Sequence, residues 1–284
     1  MGKYRKLLVA IDGSKPSMHA LKESFRIAAL EKCWIIVCSV VPPYEGDLEL
    51  ISIRNIQDII RQPCEKALAE AISIAKSSGA LIRTVCEEGE PYERIIDLAE
   101  AENCDLIIMG RTGQHEIDGR FIGNVTSRVI GYSPIDVLVV PNGTSMGWER
   151  ILIATDGSRY SDAATLKALD FARAYGSALS VVSVVDVPAE FIAEAPDAAE
   201  KMFDNARRYV GEVKQLAEAA GIKVDAFVKE GEAFESIVSL AGDNKIDMMI
   251  MGSHGRTGLK RLLIGSVAEK VIGHAPCPVL VARL

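Results

Sequence analysis

Glycine at 252, 255 and 265 with serine at 266, in the run GSHGRTGLKRLLIGS, is a spacing suited to holding phosphate. A backbone that comes within hydrogen-bonding reach of a phosphate cannot carry bulky side chains there, and glycine allows both close approach and positive φ. A helix opening after Gly265 would add unpaired N–H groups and the positive end of its dipole. Ser266 would stand at that helix start with Glu269 three residues on, the arrangement of a capping box. Its hydroxyl could instead bond a phosphate oxygen. Residues 110–124, GRTGQHEIDGRFIGN, repeat the spacing as Gly110, Gly113 and Gly123, with Asn124 where the serine stood. The plainer alternative is that these glycines only make tight turns. Recurrence of the whole G-x2-G-x9-G pattern favours phosphate.

Charge separates the two loops. Between Gly252 and Ser266 lie Arg256, Lys260 and Arg261, a count of +3, with His254 able to add more. Between Gly110 and Asn124 lie Arg111, Glu116, Asp118 and Arg120, which sum to zero. A triphosphate should therefore prefer the second loop. Asn124 remains a competent helix cap, and backbone donors do not depend on the side chain, so the first site is weakened rather than abolished.

The elements that must position these loops are also written twice. RKLLVAIDGS at 5–14 returns as ERILIATDGS at 149–158, and residues 87–113 match 229–255 at 12 of 27 positions. The offset is 144 residues early (156 − 12) and 142 late (252 − 110). A period this long is a duplicated domain, not a solenoid unit. Pro, Gly and small polar residues collect in PNGTSMGW, 141–148, which places the domains at 1–145 and 146–284. In the second copy ILIA (151–154) reads as a short buried strand, with Ser158 as the cap of the following helix. Ala164, Ala168, Phe171, Ala172 and Tyr175 then recur at helical spacing until Gly176. ALSVVSVV, IKVDAFV, IDMMIMG and PVLVA supply four more strands, separated by helical stretches. Alternating strands and helices predict an α/β fold, a doubly wound parallel sheet covered on both faces. In such sheets ligands sit beyond the carboxyl ends of the strands, where the strand order reverses. The glycine loops follow the IIMG and MIMG strands, which is that position.

With 284 residues, 49% apolar and 25% charged, the chain has the profile of two soluble globular domains. A net charge of −7 argues against general nucleic-acid binding. The six cysteines form no CxxC pair, and Cys33 and Cys38 bracket an apolar run as small core residues. No apolar run reaches the roughly 18 residues of a membrane span. The run LLVAI is cut short by Asp12 and Gly13, against a signal peptide, and Lys6 disfavours myristoylation of the MGKYRK start. The expected setting is a reduced cytoplasm.

On these residues the copies resemble universal stress protein domains, and the chain a tandem member of that family. Its nucleotide motif, G-x2-G-x9-G-[ST], is met in full by Gly252, Gly255, Gly265 and Ser266; the first copy departs from it at Asn124. The resemblance implies five-stranded parallel sheets in the order 3-2-1-4-5, and ATP or AMP as ligand, with Mg²⁺ admissible beside ATP. It implies that Asp156 and Asp12, ending each first strand, help hold the adenosine, although both also suit a turn before glycine. Ala154 and Thr155, or Ala10 and Ile11, would line the same wall, and backbone groups at Val184 or Val40 would meet the adenine edge. The implied set also takes in Met251, Ser253, His254, Arg256 and Val267 in the second copy, and Met109, Arg111 and Val125 in the first. Met248, Met249 and Met251 read as core, with Met251 able to touch a base, while His254 reads equally as a phosphate contact or an exposed loop residue. Asp105 and Asp247 open strands and read as structural.

Phosphoryl transfer needs a positioned nucleophile and usually a carboxylate that fixes Mg²⁺. Neither a GxxxxGK[ST] loop nor an acidic metal cluster is evident, and His254 is the one modest base. The leading expectation is a nucleotide-binding stress-response regulator. The alternatives are a slow ATPase or other nucleotide-processing enzyme, and a nucleotide-free scaffold. The apolar terminal strands IDVLVVP and CPVLVAR suggest pairing between the two copies, and a homodimer of chains is plausible.

Overall fold

The computed structural model describes residues 4–43, 56–113, 121–256 and 264–284. The chain divides into two compact units, with the change-over at Gly143–Thr144. The first contains β1 (Lys6–Ala10), α1 (Lys15–Glu31), β2 (Trp34–Val41), α2 (Ile56–Ser78) and β3 (Ile82–Glu88). It continues with α3 (Pro91–Ala101), β4 (Leu106–Gly110), α4 (Asn124–Tyr132) and β5 (Asp136–Val140). The second contains β6 (Arg150–Ala154), α5 (Arg159–Tyr175), β7 (Ala178–Val185), α6 (Ala189–Glu194) and α7 (Pro196–Ala219). It closes with β8 (Val224–Glu230), α8 (Ala233–Asp243), β9 (Met248–Gly252), α9 (Ser266–His274) and β10 (Val279–Ala282).

Every strand pair within a unit is parallel. In the first, β1 pairs with β2 (Leu8 opposite Ile36) and with β4 (Leu8 opposite Ile107), β3 flanks β2 and β5 flanks β4. The order is β3-β2-β1-β4-β5, and the second unit repeats it as β8-β7-β6-β9-β10. The central strands have no solvent face: Leu7, Leu8 and Val9, and again Ile151, Leu152 and Ile153, are all 0% exposed. That is why they read as unbroken apolar runs instead of alternating ones. Met248, Met249 and Met251 are buried with them.

The helix that follows each first strand is delimited by local chemistry. Ser158 caps α5 by accepting a hydrogen bond from the Ser161 N–H at 3.2 Å, and Gly176 ends the helix at φ 71°. Ser14 caps α1 in the same way, through the Ser17 N–H at 3.3 Å. The buried face of α5 includes Ala164, Ala168, Phe171 and Ala172. Strand starts are tied by aspartates: Asp105 accepts from the N–H groups of Arg5 and Lys6 at 2.7 and 2.9 Å, and Asp247 from the Arg150 N–H at 2.8 Å.

The copies differ in how they seal the end opposite the glycine loops. In the second, Trp148 stacks on Phe171 and Tyr175, with ring centroids 6.2 and 5.5 Å away. In the first, the matching positions hold Tyr4 and Glu31, and the Tyr4 N–H donates to the Glu31 carboxylate at 3.0 Å. Burial, reinforced by Asp136 and Glu31, drives the Tyr4 phenol well above its ordinary range. The first copy also carries a disulfide that the sequence did not announce, Cys64 of α2 to Cys86 of β3, with Cα atoms 6.3 Å apart. It corrects the expectation of a fully reduced chain. Cys38 is buried as expected, and Cys33 is half-buried. Among the described residues no helix is long and apolar enough to cross a membrane.

Burial is the first cause of high thiol pKa values at all four free cysteines: Cys33 and Cys104 reach about 11, Cys38 and Cys277 about 12. Few thiolates therefore exist at pH 8 in the folded chain. Iodoacetamide should label the native protein slowly. After unfolding without reductant, mass spectrometry should count four labelled cysteines, rising to six after reduction. Six labels without reductant would show the Cys64–Cys86 link to be absent.

Candidate functional site

The candidate site in the second unit lies at the C-terminal ends of the central strands β6 and β9. Beyond β6 the Thr155 N–H still pairs with the Val182 carbonyl at 2.9 Å. Thr155 is buried, with its hydroxyl 3.2 Å from that of Ser161. The chain then turns through Asp156 and Gly157, the latter at φ 73°. One oxygen of the Asp156 carboxylate accepts from the Ser158 N–H at 3.0 Å, the turn function the sequence allowed. The other accepts from the Arg256 N–H at 2.9 Å, on the far side of the crevice. Asp12 makes the same turn with the Ser14 N–H at 3.0 Å.

Each glycine of the loop has a distinct neighbour. A Cβ on Gly255 would lie 2.7 Å from the Asp156 carboxylate, and one on Gly113 would lie 2.6 Å from that of Asp12. A Cβ on Gly252 would meet Tyr160 at 2.6–2.7 Å, including its backbone carbonyl, and one on Gly110 would meet the Pro16 backbone at 2.8 Å. The first glycine thus admits the opening turn of α5 or α1, and the second admits the aspartate. The third closes the loop at its neck: the Gly265 N–H donates to the Ser253 carbonyl at 2.8 Å, and Gly123 does the same to Arg111. None of these six has a positive φ. Close approach to other parts of the protein is what they provide; at these strand ends it is Gly13 and Gly157, beside the aspartates, that adopt positive φ.

Two capping expectations are corrected. Gly265 and Gly123 occupy the cap positions of α9 and α4, in extended conformation, with no side-chain cap bond. Ser266 and Asn124 are each one residue too far in to turn back on the free N–H groups. No capping box forms between Ser266 and Glu269, whose N–H instead joins the Gly265 carbonyl at 2.9 Å in the ordinary helical pattern. Ser266, Val267 and Asn124 are exposed, and Val125 is half-buried. In the first copy Thr126 adds a bond from its hydroxyl to the Gly110 carbonyl at 3.1 Å.

The remaining predicted residues surround this framework. Ser253 is 1% exposed, with its hydroxyl 3.0 Å from His254 Nδ1 and accepting from Arg283 at 3.3 Å. The His254 ring is 5.2 Å from that of Tyr160. Met251 and Met109 are buried, as are Ala10 and Ile11, while Ala154, Val40 and Val184 are half-buried. Arg111 stands where the second copy has Ser253. Glu116, Asp118, Arg120, Lys260 and Arg261 lie outside the described residues. Sequence reasoning missed Tyr209 of α7, whose hydroxyl lies 3.4 Å from Arg256 Nη1. A cavity of about 170 Å³ opens between α5 and α7, bounded by Thr155, Gly157, Asp162 and Tyr209 among others. Among the described residues none of the glycine loop lines it, and it is below the roughly 300–1,000 Å³ of small-molecule pockets.

Comparison with known proteins matches this architecture twice over. The model of the "Universal stress protein family" fits residues 3–141 and again 147–283. A universal stress protein of Methanocaldococcus jannaschii is 36% identical over 151 residues, covering 51% of this chain and 87% of that protein. One from Thermus aquaticus is 30% identical over 138 residues, covering 48% of this chain and 99% of that one. A universal stress protein from Archaeoglobus fulgidus shares the fold across 99% of this chain and 97% of its own, with TM-score 0.74 and 22% identity.

The glycine contacts make a graded prediction. Gly252→Ala drives a methyl into backbone and should cost about 2–3 kcal/mol, at the upper end of overpacking penalties. Gly211→Ala, inside α7 with nothing within 4 Å, should stabilise by about 0.5–1 kcal/mol through helix propensity. Urea unfolding of the two variants checks both signs, and equal effects would refute the close packing assigned to Gly252.

Proposed function

The chain belongs to the universal stress protein family as a tandem of two of its domains, and from that premise we propose that it binds an adenine nucleotide, ATP or AMP, in the second copy. The observation that carries the reading is the convergence of three hydrogen-bond donor sources at one strand end, two of N–H and one of O–H. These are the backbone at Gly255, the start of α9 and the exposed Ser266 hydroxyl, which is not spent on capping. A Cβ on Gly265 would lie 3.6 Å from the Gly255 N, so loop and helix start face the same space. Unpaired N–H groups at a helix start favour an anion, and Arg256 adds a formal positive charge. Asp156 spends one lone pair on each of two N–H groups; a carboxylate accepts about four such bonds, which leaves room for ribose hydroxyls. Mg²⁺ would accompany ATP through the phosphates themselves.

The first copy has the same framework with Asn124 in place of Ser266, and a weaker grip is its expected consequence. Occupancy of the second site then acts as a signal, biasing the loop and its surroundings toward one arrangement and so toward one partner.

Isothermal titration with ATP should give a stoichiometry near one per chain. Ser266→Ala should weaken ATP about ten-fold, the scale of a hydrogen bond to a charged group, and leave the melting temperature unchanged because the hydroxyl caps nothing. Equilibrium dialysis showing no bound ATP or AMP at millimolar ligand would sink the proposal.

A further inference from the structure

Arg256 and Tyr209 meet at the rim of the second copy's loop, and nothing in the glycine–serine motif requires that contact. Tyr209 stands on α7 with its ring against the turn that follows β6. A Cβ on Gly157 would come within 2.2 Å of the ring, so only a glycine there, at φ 73°, admits it. The Tyr209 hydroxyl accepts from Arg256 Nη1 at 3.4 Å, and the Arg256 guanidinium lies 5.8 Å from the ring centroid. Arg208 approaches the same ring at 4.9 Å. The Arg256 N–H is meanwhile bound to Asp156. Tyr209 therefore touches both walls of the crevice, the turn after β6 and the loop after β9. It stands twelve residues before Gly221 (221 − 209); the residue twelve before the matching Gly79 is Ala67, buried and without ring or hydroxyl.

We propose that Tyr209 sets the second copy's preference for phosphorylated over unphosphorylated ligands, by holding the Arg256 guanidinium at the mouth of the glycine loop. The proposal rests on the nucleotide reading above and adds a positioning residue to it. A free surface arginine must give up rotamer freedom before it can grip an anion. One already held by a ring face and a hydroxyl has lost that freedom in advance, and binding becomes tighter for it. The guanidinium has five N–H donors, of which Tyr209 takes one, so donors remain for phosphate oxygens. Holding a cation here also offsets the nearby Asp156 carboxylate, which would otherwise repel a phosphate chain. Adenosine, with no phosphate, gains nothing from the arrangement. The first copy, with Ala67, has no such device.

The test is calorimetric titration of ATP and of adenosine into the full chain and its Tyr209→Phe, Tyr209→Ala, Arg256→Gln and Tyr209→Phe/Arg256→Gln variants, each checked for an unchanged melting curve. Tyr209→Phe should weaken ATP about three-fold and Tyr209→Ala about ten-fold, the scale of a lost hydrogen bond and then a lost cation–π contact. Adenosine affinity should stay constant, and Tyr209→Phe should have no further effect once Arg256 is Gln. Parallel loss of ATP and adenosine, no loss at all, or a Tyr209→Phe effect that persists beside Arg256→Gln overturns the proposal while the nucleotide reading stands. A wild-type chain that binds neither ligand overturns both.

Discussion

A carboxylate pressed against a glycine organises the business end of each copy. Asp156 leaves the central strand and reaches the neighbouring loop only because Gly255 has no side chain, and its second oxygen then holds the Arg256 N–H. With the loop fixed there, its neck closes between Gly265 and Ser253, and α9 begins beside Gly255. The first copy repeats the contact between Asp12 and Gly113. Removal of one methyl group from the chain at this point is thus a precondition for the turn, the loop and the helix start together.

This arrangement changes the meaning of the glycine pattern. A motif that reads as room for phosphate proves to be, at its first two positions, room for the protein's own backbone and carboxylate. The two readings are compatible. Packing at Gly252 and Gly255 fixes where the loop leaves the strand, and the Gly265 N–H bond to Ser253 fixes where α9 begins; donors held in place are what an anion site needs.

Much of the fold was legible because it depends on local pattern. Unbroken apolar runs marked the parallel strands, Ser158 and Gly176 marked the ends of α5, and the repeat marked the duplication. What escaped depends on contacts between distant residues. Gly252 is small because of Tyr160, and Asp156 bonds to a residue 100 positions away. Cys64 and Cys86 sit on a helix and an edge strand that nothing in their spacing brings together. Of the two roles open to Ser266, the cap fails by a single residue: the extended Gly265 before it takes that position. Tyr209 carries no signal at all until α7 is laid across the turn after β6.

The differing end seals give the molecule an optical asymmetry. The chain has two tryptophans. Trp148 is stacked on Phe171 and Tyr175 in the second copy, whereas Trp34, at the start of β2 in the first, is 67% exposed. Emission from the two indoles should differ in colour and in accessibility to quenchers, giving each half of the duplication its own native fluorophore. Events in one copy can be watched against a steady background from the other, without attaching any label.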